Sequence, residues 1–130
     1  MSLPLINILA PADGQNENGL NVLRLANDAD VREVSLEGVD RVELHFPKFT
    51  DGRAYSQAYL LRRRRKFEGD IRATGDVLVD QLVQMQRTGF SSAVLRADQS
   101  LDVARRQFAQ FGAFYQGDAV HHHPHFREAA

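Results

Sequence analysis

Between residues 42 and 112 two periodicities alternate, reading strand, helix, strand, helix, strand, helix. That alternation constrains the fold more than any other feature. "RVELHFPKF" sets Val42, Leu44 and Phe46 on one face against Glu43 and His45 on the other, and Pro47 ends the strand. "TDGR" is a turn. "AYSQAYLLRRRR" then places Ala54, Ala58 and Leu61 on one helical line and Tyr55 and Tyr59 on the next, with basic residues gathered at the end that suits the helix dipole. "FEGDIRA" predicts a turn and a short strand, and "TGD" a second tight loop. "VLVDQLVQMQRTG" predicts a helix with Leu78, Leu82 and Met85 aligned, Val79 and Val83 beside them, and Gly89 as a left-handed C-cap. "FSSAVLRA" is the next strand. "DQSLDVARRQFAQFG" predicts a helix capped by Ser100, with Asp102 in its first turn and Val103, Phe108 and Phe111 for burial.

Strands that alternate with helices imply a parallel sheet with right-handed crossovers. The expected fold class is therefore α/β: one small domain with a mostly parallel sheet, an open layer or half-barrel. Before this block, "LNVLRLAN" (20–27) predicts a short strand or edge segment. "DADVREVSLEGVD" fits either a helical turn or irregular structure, and residues 1–20, with "PADGQNENG", predict a loop or mobile arm. Residues 116–130 are expected to be an irregular, His-rich tail. A sheet of so few strands leaves open edges, from which a homodimer is expected.

Composition excludes several function classes. A chain of 130 residues buries roughly two-thirds of its extended surface, enough for one core. With no cysteine there are no disulfides, thiolate nucleophiles, Cys-ligated zinc or Cys-held clusters. A net charge of −1 gives no global attraction to nucleic acid or to an anionic membrane. Apolar runs fall short of the roughly 20 residues that span a bilayer, and "MSLPLINILAPADG" lacks a basic leader region, so a soluble cytoplasmic protein is expected.

In successive strand–loop–helix units, the loops after the strands share the edge where open α/β sheets bind ligands. Here those loops are "KFTDGRAYS" and "RATGDVLVD". Each sets glycine, threonine and aspartate before a helix with an arginine nearby, which makes Asp51, Gly52, Arg53, Ser56, Arg72, Thr74, Gly75, Asp76 and Asp80 candidate site residues. Free N–H groups at helix starts, close approach at glycine and a bidentate guanidinium suit a sulfate, phosphate or carboxylate. The expectation is that Arg53 and Arg72 share one pocket. The same residues also serve as ordinary turns, caps and ion pairs. Asp76 and Asp80, one helical turn apart, read as a cap and a carboxylate that is solvated or paired with arginine, rather than an acid–base or magnesium pair. "RRRRK" (62–66) points in several directions on a helix and reads as a solvated helix end, or else as a docking surface for an acidic partner. "HHHPHF" holds four of the five histidines but no carboxylate or cysteine companion, so no metal site is assigned.

The stretches "HFPKFTDGRAYSQAYLLR", "GDIRATGDVLVDQLVQMQRTGF" and "FAQFGAFYQ" resemble a bacterial family known as domain of unknown function 934, in which "FPKFTDGRxYS", "LLR", "GxxRATGDVLxDQL" and "R-x-GF" recur. The resemblance covers about residues 42–115. It implies a cytoplasmic protein often encoded beside the haemoprotein subunit of sulfite reductase and labelled an oxidoreductase of sulfite reduction. It carries over Phe49, Asp51, Gly52, Arg53 and Ser56 from the first loop and Arg72, Thr74, Gly75, Asp76, Asp80 and Gln81 from the second, without a catalytic role for any. No flavin, nicotinamide, haem or cluster motif is present, so the cofactor is left unassigned. Three readings follow. The first is an accessory protein of sulfite reduction and sulfate assimilation, binding an anion or docking on a reductase through the two loops. The second is a small enzyme on an anionic metabolite, with Asp51 or Asp76 as general base. In the third, the loop residues only cap helices and bridge strands.

Overall fold

The computed structural model describes residues 6–13 and 19–112, with side chains through residue 107. Among the described residues five parallel strands form one sheet: β1 (Asn7–Leu9), β2 (Val22–Leu25), β3 (Arg41–Phe46), β4 (Asp70–Gly75) and β5 (Ser92–Val94), in the spatial order β1-β5-β4-β3-β2. Helices α1 (Arg53–Arg63), α2 (Leu82–Thr88) and α3 (Leu101–Gly112) follow β3, β4 and β5. The chain is a small α/β domain with a parallel sheet, the fold class that the alternation predicts.

From β2 to β5 each strand is laid beside the last in the same direction. Right-handed crossovers then place α1 and α2 on one face of the sheet, where α2 packs against both α1 and α3. That face is apolar. Val42, Leu44, Phe46, Ile71, Ala73 and Ala93 meet Ala54, Ala58 and Leu61 of α1 and Leu82 and Met85 of α2, all buried. The Phe46 ring meets Tyr55 edge-on at 5.1 Å and Phe90 at 5.8 Å, joining β3 to the helix layer.

Three local expectations need correction. Residues 7–9, expected within a loop, form β1. Ile6 and Ile8 bury against the core while β1 pairs in parallel with β5, which lies about 85 residues away in sequence and so gives no local signal. The helix expected from Val77 or Leu78 starts later, at Leu82, after a 3₁₀ turn at Val79–Gln81. There the Leu78 N–H donates to Gln81 Oε1 at 2.9 Å and the Val79 N–H to Gln99 Oε1 at 3.0 Å, so side chains satisfy groups that a longer helix would leave open.

The third correction concerns the arginine run, which is only partly solvated. Arg62 turns inward and donates to the carbonyls of Gly89, Phe67 and Gly69, and Arg65 donates to those of Val31 and Val34. Arg64 is exposed, while Arg63 lies over the exposed ring of Tyr59. Two expectations hold. Gly89 caps α2 with φ +115°, and the Ser100 hydroxyl accepts from the Val103 N–H at the start of α3. Burial of Phe108 and Phe111 and the character of residues 116–130 lie outside the described side chains and residues. Among the described residues no helix is long and apolar enough to cross a membrane.

Candidate functional site

At the carboxyl ends of the strands the two motif loops do meet, and they are tied to each other through Phe49. Its N–H donates to Asp76 Oδ2 at 2.8 Å, and its carbonyl accepts from Gln81 Nε2 at 2.6 Å. The peptide of the first loop is thus clamped by two side chains of the second. Asp76 also accepts from Arg96 Nη1 at 2.6 Å, which brings in the loop after β5, and Asp51 accepts from Asn27, which brings in the loop after β2. Four consecutive loops are linked along one rim. The ring of Phe49 stays half exposed at its crest.

The chemistry of the rim is settled by its ion pairs. Asp51 accepts from the Arg53 side chain and backbone N–H, which with a bond from Asn27 holds its carboxyl down to about 2. Asp76 is lowered first by its bond to Arg96 and then by the Phe49 N–H, and Arg96 is raised in turn by Asp98 and Asp76. Carboxylates held ionised by an arginine and a backbone N–H are poor proton acceptors near neutral pH. The geometry therefore weighs against Asp51 or Asp76 as general base.

Of the other candidates, Gly52 stands at the N-cap of α1 and Ser56 is exposed on its outer face. Asp80 is exposed on the 3₁₀ turn, and Gly75 closes β4 with φ +93°. Arg53 and Arg72 are not brought together on a shared partner. Arg53 is an exposed rim residue paired with Asp51 at 2.9 Å. Arg72 lies inside β4, buried, donating to Ser92 Oγ at 2.8 Å and paired with Asp70 at 3.5 Å. Arg72 precedes the loop by enough residues to remain in the strand, and strand alternation turns it, like Thr74, to the face opposite the helices.

That opposite face carries residues which the loop-centred reading missed. The strand register aligns Arg24, Glu43, Arg72, Ser92 and Asn7 in one row across the sheet. Arg41 and Asp70 lie one level toward the amino ends of the strands, and His45 and Thr74 one level toward the rim. Arg24 pairs with Glu43 at 3.1 Å, Arg41 with Asp70 at 3.0 Å and with Glu43 at 3.8 Å, and Ser92 Oγ donates to Asp70 at 2.8 Å. Arg41, Glu43, Arg72 and Ser92 are all buried. The available signal was the polar half of each alternation, Arg41-Glu43-His45 and Asp70-Arg72-Thr74, whose pairing only the register reveals. Among the described residues no cluster of histidine, aspartate and glutamate could hold a metal ion.

The model of a family described as a bacterial protein of unknown function, DUF934, matches residues 22–126. The chain belongs to the DUF934 family. No curated protein and no solved structure matches it. The DUF934 match covers the loop after β2, both motif loops and the polar face apart from Asn7 of β1, so the tied rim and the ion pairs of that face lie inside the family region.

Proposed function

We propose that this DUF934 protein is an accessory component of sulfite reduction and sulfate assimilation, docking on a reductase through the carboxyl rim of its sheet. The link to sulfite reduction comes from what the family resemblance implies, and the docking role from the rim itself. Phe49 carries that role: an aromatic ring half exposed on a peptide whose N–H and carbonyl are both fixed by side chains of the neighbouring loop. A rigid exposed aromatic loses little freedom on association, and such residues dominate binding energy at interfaces. Docking is favoured over anion capture at this rim because Arg53 and Arg96 are engaged by Asp51, Asp76 and Asp98. A chain without cysteine also suits a partner of a redox enzyme better than the thiol chemistry itself.

The test is binding of the purified protein to the haemoprotein subunit of sulfite reductase, with Phe49→Ala as the variant. Loss of a central aromatic anchor should weaken the complex by about 30-fold or more, with the thermal midpoint of the free protein unchanged. Failure of the unaltered protein to bind, or equal binding by Phe49→Ala, would remove the proposal.

A further inference from the structure

The rim leaves unused the polar face on the other side of the sheet. Burying ion pairs there does not explain itself as stabilisation, because apolar side chains of similar volume commonly serve a core as well or better. What such a network does well is fix side-chain positions. One level above it on the same face, at the carboxyl edge, stand two accessible groups, His45 and Thr74, with Thr74 Oγ1 3.4 Å from His45 Nδ1. The imidazole is seated on the bare α-carbon of Gly75, where a Cβ would lie 2.6 Å from His45 Cε1 and 2.4 Å from the Phe46 carbonyl. Gly75 also has φ +93°, so both backbone conformation and ring placement call for glycine. One level below, Arg24 keeps an exposed side chain while pairing with Glu43, and Arg72 is fixed by Ser92 and Asp70.

We propose that this face is a second binding site, for a small oxyanion, with His45 and Thr74 as the groups that contact it. The lip offers an imidazole and a hydroxyl, and no carboxylate shares that level on β3 or β4. The hydroxyl lies 3.4 Å from Nδ1, so the ligand oxygen is assigned to Nε2 on the other side of the ring. Arg24 and Arg72 lie one level below the lip on the same face; both are paired there, with Glu43 and Asp70, so they add positive charge beneath the ligand and are not its contacts. The location agrees with the general placement of ligands at the carboxyl ends of parallel strands. The proposal is independent of the docking role.

The experiment is a titration of the full chain with inorganic phosphate against chloride at matched ionic strength, followed by the imidazole ¹H–¹⁵N signals. His45→Gln identifies the His45 resonance among the five histidines. The expected result is saturation of the His45 shifts at millimolar phosphate, with Thr74→Val and Arg24→Gln each weakening binding about tenfold and leaving the backbone spectrum otherwise intact. Shifts that grow without saturating, equal shifts at the tail histidines, or a midpoint that neither variant moves would overturn it. Arg24 is largely exposed, so its variant remains informative should Thr74→Val disturb the strand end.

Discussion

Arg62 shows how far a residue's role departs from its local text. In sequence it is one of four like charges; in the fold it ties the end of α2 to the turn before β4 through three carbonyls. Burial pushes its guanidinium below the usual arginine range, with Asp70 partly opposing the shift. Removing it would strand those carbonyls in a partly buried site. Arg62→Ala is expected to cost about 2–4 kcal/mol in urea unfolding, whereas Arg64→Ala at an exposed position should stay within about 0.5 kcal/mol. Equal effects of the two substitutions would show that Arg62 is not a clamp.

At the scale of elements, the rim is a chain of loops held by carboxylates. Asp51 and Asp76 have folded-state values below their unfolded ones, so the stability they add is present above about pH 4. It is lost as the pH falls through their lowered values. The thermal midpoint should therefore drop between about pH 4 and pH 2. Asp76→Asn, which keeps an acceptor but cannot titrate, should flatten that drop while lowering the midpoint at neutral pH. A parallel drop in the variant would exclude Asp76 as a contributor. The second motif loop shows why element boundaries were harder to read than element types. Its helix begins at Leu82 because Gln81 and Gln99, one local and one 20 residues away, satisfy the preceding N–H groups.

For the whole molecule, the order β1-β5-β4-β3-β2 leaves a three-residue strand at one edge and a four-residue strand at the other. We propose that the outer edge of β2, which among the described residues pairs with β3 alone, joins two copies into a homodimer through its remaining N–H and carbonyl groups. Sedimentation velocity at micromolar concentration should then give a species of twice the chain mass, and a clean monomer would remove the idea. The same order shows the limit of a one-dimensional reading. Alternation fixes parallel strands and the side on which helices lie. Closing the sheet with β1 against β5 depends on a pairing that no nearby residue announces.

Period, turn residues and caps were enough to determine the α/β class, the central strands and helices, and the two loops that meet at one rim, because those signals act over a few residues. Tertiary structure alone decided that Arg53 and Arg72 part to different sites, that Asp51 and Asp76 tie neighbouring loops together, and that Arg41, Glu43, Asp70, Arg72 and Ser92 form one network. Each of those outcomes depends on which strands are neighbours and in what register, and register is set by the burial of the sheet as a whole.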